Sequence, residues 1–264
     1  MNSDFLKMKK GQKPWTREEL ILAINLYWKM EFGKIHEGNP EIQKFANFIG
    51  RTPGSIVFKL GNFGSFDPSL QERGVGGLKN TSKLDREIWN EFFGNLEDLS
   101  FESEKLRAQF ENKSVEELNE IDLSELPRDG LVREQLVKTR VNQNFFRRAI
   151  LASYKNTCCI TGINHPNLLV AGHIKPWSVD EKNRMNPRNG LCLNSLHDRA
   201  FELGFITVAT DYKILVSSKI VDTMSKETFE IYFERHHNKE IILPNRYLPD
   251  PEFLDYHRET RFLK

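Results

Sequence analysis

Apolar residues recur at helical spacing through the first 95 positions. Thr16-Arg17-Glu18-Glu19 reads as a capping box, and Leu20, Ile24 and Tyr27 then share one face, widened by Ile21 and Trp28. Asn39-Pro40 starts a second helix with Ile42, Phe45, Ala46 and Ile49 on one side and Gly50 as its stop. Thr52-Pro53 starts a third, with Ile56, Leu60 and Phe63 inward and Ser55, Lys59 and Asn62 on the other side. A short helix over Asp85–Phe93 follows, with Ile88, Trp89 and Phe92 apolar. Residues 96–142 are charged, with a capping signature at Ser114–Glu117 and a break at Leu126–Gly130, and are read as a solvated connector.

The pattern changes after residue 142. Asn144–Tyr154 keeps helical spacing, with Phe145, Ile150 and Leu151 inward. Leu168–His173 is a short strand ended by Lys175-Pro176-Trp177. A polar loop from Ser178 to Arg188 leads to Asn189-Gly190 and a second strand, Leu191–Leu193. Ser195 is the expected cap of a helix from Leu196 to Leu203, closed by Gly204. Residues 206–208 and 213–216 form a hairpin about Thr210-Asp211. The fold class expected is α+β. A small helical, helix-turn-helix-like domain spans 1–95, a charged helical connector 96–142, and a strand–loop–strand–helix domain 143–264.

Composition narrows the partners. The net charge is +1, so a nucleic acid would have to be met by local basic faces. Arg51, Ser55, Lys59 and Asn62 are the candidates on the third helix and its turn, and Arg147 and Arg148 on the later helix. The three cysteines, Cys158, Cys159 and Cys192, form no framework of spaced pairs, so a reducing cytoplasm is the expected setting. They are too few for a tetrahedral thiolate site, so no structural zinc is expected and all three are assigned to the core. The lysines of the N-terminal stretch are not followed by an apolar segment, so it does not read as a secretory signal. No apolar run is long enough to span a bilayer. The glycines at 74, 76 and 77 lack a following Gly-Lys-Ser/Thr, which excludes a phosphate-binding loop of that type.

Four spaced motifs carry the chemistry: CCITG at 158–162, HIKPW at 173–177, NGLCL at 189–193 and HDRAFELG at 197–204. In this order they resemble the restriction-type branch of the HNH endonucleases, over roughly residues 140–220. The N-terminal segment resembles, more loosely, Myb/SANT-like trihelical DNA-binding domains through its Trp-Thr opening and its IGRTPGSI turn. The first resemblance implies a ββα-metal fold that hydrolyses phosphodiesters in double-stranded DNA. It makes His173 the general base, a role suited to the imidazole pKa. It makes His197 the ligand of Mg2+ or Mn2+, and Asn189 the residue that holds the loop and orients His173. Gly172 stands where many relatives carry a second metal ligand, and Asp198 is the nearest acidic substitute. A homodimer is expected for double-strand cleavage, and some relatives of this architecture attack cytosine-methylated DNA. Two other readings are kept: a DNA-binding protein with an inactive HNH fold, and a toxin-like nuclease of low specificity. His236, His237 and His257 are given no chemistry, the first two as surface residues and the last in a segment that packs back on the domain.

Overall fold

Thr16 opens α1 (Arg17–Lys29) with a reciprocal capping box: its hydroxyl accepts from the Glu19 N–H, and the Glu19 carboxylate accepts from the Thr16 N–H. This computed structural model describes residues 13–78, 81–122, 124, 127 and 130–264. The lysine-rich start and most of the Leu126–Gly130 break lie outside the described residues. The chain divides into two compact units, 1–145 and 146–264.

The first unit is helical. After α1 come α2 (Pro40–Ile49), α3 (Pro53–Gly64), α4 (Pro68–Gln71), α5 (Lys83–Phe92), α6 (Leu96–Glu111) and α7 (Val115–Leu118). Asn39 and Thr52 cap α2 and α3, each with proline at the first turn, where no amide hydrogen is needed. Gly50 closes α2 in the left-handed region, which turns the chain into α3. Leu20, Ile24, Tyr27, Ile42, Ile56, Leu60, Phe63 and Ile88 are fully buried. Tyr27, Trp28, Phe63 and Trp89 touch ring to ring, so these aromatics are core.

The stretch read as a solvated connector is partly packed. α6 lies along α1 with Leu99 and Ser100 fully buried, and buried Glu104 pairs with Lys29 of α1 at 3.3 Å and with Arg107 at 2.8 Å. Its acidic residues belong to that ion-paired interface and to its wet side. α8 (Leu131–Ser153) begins before the helix expected from Asn144 and runs through the division between the units.

The second unit sets two small antiparallel sheets among helices: β1 (Leu169–His173), β2 (Gly190–Asn194), α9 (Ser195–Glu202), β3 (Ile206–Val208), β4 (Ile214–Val216), α10 (Lys226–Tyr232) and α11 (Pro251–Thr260). β1 pairs with β2 from Leu169↔Asn194 to His173↔Gly190, and β3 pairs with β4. α9 covers β1 and β2, and α11 packs on β3. β2 runs straight into α9, and Asn194, not Ser195, is the cap: its side-chain oxygen accepts from the His197 N–H. The combination of helices with antiparallel sheets is α+β. Among the described residues no helix is long and apolar enough to cross a membrane.

Candidate active site

His173 ends β1 directly opposite Gly190. A Cβ at Gly190 would meet Ile150 at 2.4 Å and Phe146 at 2.9 Å, so only glycine lets these side chains of α8 reach the sheet there. Phe146 uses that space to stack on the His173 ring at 4.0 Å and 9°. Trp177 meets the same ring edge-on at 5.5 Å. Burial pushes the His173 pKa below the ordinary imidazole value, against the opposing pull of a hydrogen bond to the Arg184 carbonyl. That bond, 2.9 Å from Nε2, fixes the tautomer, because a carbonyl can only accept. Nε2 carries the hydrogen and Nδ1 keeps its lone pair.

The loop between the strands holds this geometry. Asn189 is fully buried. Its side-chain oxygen accepts from the Lys175 N–H at 2.8 Å, and its amide nitrogen donates to the carbonyls of Lys175 at 3.0 Å and Asn183 at 3.2 Å. The Ile174 N–H donates to the Asn189 carbonyl. Arg184 donates through Nε to the Trp177 carbonyl and pairs with Glu181. One amide side chain thus ties both ends of the loop to the residues following His173, and the same loop presents the Arg184 carbonyl.

His197 and Asp198 are neighbours on α9 with opposite surroundings. His197 is only 2% exposed. Its Nε2–H donates to the Tyr232 carbonyl at 2.8 Å, and Nδ1 accepts from the Asn194 amide at 2.9 Å. Both ring nitrogens are therefore engaged within the fold, and His197 does not line the cleft beside His173. Asp198 does. A Cβ on Gly172 would come within 2.5 Å of its Oδ1, so the carboxylate takes the space that a side chain at 172 would need. Burial, reinforced by the nearby Glu202 charge, raises the Asp198 pKa. Among the described residues Asp198 makes no hydrogen bond or ion pair. Of the expected ligand His197 and its acidic neighbour Asp198, it is Asp198 whose side chain lines the cleft.

The cleft has a volume of about 320 Å³, and its polar lining comes from His173, Trp177, Asp198, Glu202, His257 and Arg261. Glu202 follows Asp198 by four residues, one helical turn, so the i, i+4 spacing legible in the sequence puts both carboxylates on one side of α9. His257 is held on both nitrogens: the Thr207 hydroxyl donates to Nδ1 at 2.8 Å, and Nε2–H donates to the Phe201 carbonyl at 3.0 Å. It stacks on Phe201 at 3.7 Å, and burial lowers its pKa to about 4. Arg261 follows α11 and had no local signal at all. Among the described residues no three His, Cys, Asp or Glu side chains come together as a ready-made metal cage.

The residues expected to face DNA are differently employed. Lys59 pairs with the fully buried Asp85 at 2.6 Å, and Asn62 donates to the same carboxylate at 2.9 Å. Both point inward because a carboxylate buried in α5 requires partners. Arg51 stacks on Trp15 at 4.0 Å, pairs with Glu19 at 2.6 Å and donates to the Lys13 and Pro14 carbonyls. Ser55 is half-buried in the first turn of α3. The face of α3 opposite Ile56 and Leu60 therefore presents no free cation among these four. Arg147 donates to the Leu169 and Pro166 carbonyls and so fixes the entry to β1, while Arg148 is exposed. Cys158, Cys159 and Cys192 are buried with free thiols. His236, read as surface, is half-buried with its ring 5.6 Å from His197.

Residues 158–209 match the family model for HNH endonucleases. The match spans β1, the loop, β2, α9 and β3, and contains His173, Asn189, His197 and Asp198. No curated protein matches the chain. The chain thus carries a segment of HNH endonuclease type, which supports a phosphodiester-cleaving enzyme.

Proposed function

We propose that this protein is a metal-dependent endonuclease of restriction type that hydrolyses double-stranded DNA, with His173 as general base and Asp198 as the side-chain anchor of the metal. The observation that carries the reading is the shared cleft. A histidine with a fixed, unprotonated Nδ1 and a carboxylate that makes no hydrogen bond or ion pair among the described residues line the same concave site. The donor set fits a hard cation: the Asp198 carboxylate leaves room for phosphate oxygens and water, as Mg2+ or Mn2+ prefer. Such a cation, when bound, neutralises charge that builds on the phosphate.

The chain's own residues do the rest. Nδ1 of His173 takes a proton from water as the water oxygen attacks phosphorus, and the bond from phosphorus to the 3′ oxygen breaks. The leaving oxygen takes a proton from solvent, so the products carry 5′ phosphate and 3′ hydroxyl ends. The Arg184 carbonyl stabilises the imidazolium that forms, since Nε2–H already points at it. Phe146, stacked on one face, and Trp177, edge-on, hold the ring. Asn189 keeps the loop, and hence the Arg184 carbonyl, in place. Asp198 in the space over Gly172 favours an enzyme over a binding protein that has lost its metal site.

A preference for modified cytosine is the finer form of this reading. It rests on the motif order and on the pairing of the HNH segment with a separate helical unit. Plasmid DNA, unmodified, cytosine-methylated and hydroxymethylated, incubated with Mg2+ or Mn2+, tests all of it. Loss of a general base costs on the order of 10²–10⁴-fold, so His173→Ala should fall by that factor. Equal cutting by His173→Ala and the native protein would remove His173 from the chemistry. Equal cutting of all three plasmids would remove the modification preference alone.

A further inference from the structure

Arg261 stands in the cleft and is not spent on its carboxylates. It is the one residue of permanent positive charge among those described as lining the site, and it comes from well beyond the segment that matches the HNH model. Its backbone is pinned. The Arg261 N–H donates to the His257 carbonyl at 2.9 Å and the Leu263 N–H to the Gly204 carbonyl at 2.9 Å. Gly204 has φ +78°, and a Cβ there would meet the Arg261 carbonyl oxygen at 2.0 Å. The glycine that ends α9 thus also lets the end of α11 lie against it, which brings the arginine to the helix that carries Asp198. One guanidinium nitrogen donates to the Glu202 carbonyl at 3.1 Å. The Glu202 carboxylate is taken by Arg199 at 2.6 Å, and among the described residues Asp198 forms no ion pair. The side chain is therefore anchored by a main-chain oxygen, while the rest of its donor fork and its full charge stay open to the cleft.

That arrangement suits an anion with several oxygens in a plane-matching geometry, which a backbone phosphate offers and a carboxylate already paired does not. We propose that Arg261 binds a phosphate of the nucleic-acid backbone in the His173–Asp198 cleft and so positions the strand for cleavage. The proposal rests on the nuclease reading above. It adds the residue that follows α11 to a site otherwise built by β1, the loop and α9.

The test uses the full chain carrying His173→Ala, so that DNA stays intact, and a labelled duplex oligonucleotide in Mg2+ over a series of salt concentrations. Arg261→Gln keeps an N–H for the Glu202 carbonyl but removes the charge, and Arg261→Lys keeps the charge. A lost phosphate contact lowers the slope of log affinity against log salt by about 0.9. Arg261→Gln should show that loss, with binding about tenfold weaker at moderate salt. Arg261→Lys should retain the slope and recover part of the affinity. In the otherwise native enzyme, Arg261→Gln should raise KM more than it lowers kcat. Identical slopes for Arg, Gln and Lys, in a protein that binds and cuts DNA, would overturn the proposal and leave the nuclease reading standing. Failure of the native protein to bind or cut any duplex would overturn both.

Discussion

At His173 the carbonyl of Arg184 decides the tautomer and burial decides the charge. As the proposed base, His173 must be neutral to accept a proton, and its folded pKa is held below 6.5. At saturating Mn2+, cleavage should be level through neutral pH and fall only on the acid side of 6.5. A rate profile that still climbs between pH 7 and 8 would assign the base elsewhere. Asp198 has the opposite shift, with burial holding its proton above the usual aspartate range. A proton and a cation compete for it, so Mn2+ affinity should weaken as pH falls, beginning above 3.8, the ordinary aspartate value. Calorimetric titrations across pH check this, and Asp198→Asn should bind weakly with no pH dependence. His197→Gln should lower the melting temperature but keep Mn2+ binding, because His197 serves the fold through Asn194 and Tyr232. Loss of Mn2+ binding in a folded His197→Gln protein would return the ligand role to that histidine.

α11 is the element whose contribution was least visible in its own sequence. Its His257 bridges Thr207 of β3 and Phe201 of α9, with the neutral ring held on both nitrogens. The unfolded chain takes up a proton at this position near 6.5, and the folded chain refuses it until about 4. Stability from this residue is therefore complete above 6.5 and lost as pH falls toward 4. A shift of that size corresponds to about 3 kcal/mol. Urea unfolding midpoints measured from pH 7.5 to 4 should fall steeply for the native protein and less steeply for His257→Gln, which starts lower. Parallel curves for the two would show that His257 is not the group that titrates. α3 teaches a related lesson in the first unit. Its amphipathic pattern locates Ile56, Leu60 and Phe63 in the core, but Lys59 and Asn62 turn inward to a carboxylate supplied by α5.

For the whole molecule, a net charge of +1 leaves no general attraction to DNA, so binding must come from local groups such as Arg261. One HNH site cuts one strand, so a double-strand cut would need two copies of this chain, the homodimer expected from the sequence. Supercoiled plasmid should accumulate as nicked circles at low protein concentration. Linear product should then rise more steeply than in proportion to protein. Linear product in constant ratio to nicked circles at every concentration would argue against dimer assembly as the source of the double-strand cut.

Local chemistry along the chain was enough to specify several elements. A capping box, Asn-Pro and Thr-Pro starts and apolar spacing placed α1, α2, α3 and α5, and alternating residues and turn signals placed the strands and hairpin. The order of HIKPW, NGLCL and HDRAFELG was enough to mark the HNH segment, because each motif is contiguous. Tertiary structure decided where the polar side chains of those elements point. His197 and Asp198 differ by one position, which is about 100° on a helix, and only the packing of Tyr232 on one side and Gly172 on the other selects which meets the cleft. The same holds for Lys59, Asn62 and Arg51, whose partners are 23 to 38 residues away, and for Arg261, 59 residues from the carbonyl that anchors it. A charge on an amphipathic face reads as solvated until a buried partner from a distant element claims it, since periodicity records burial of the apolar face but not the identity of what lies across from the polar one.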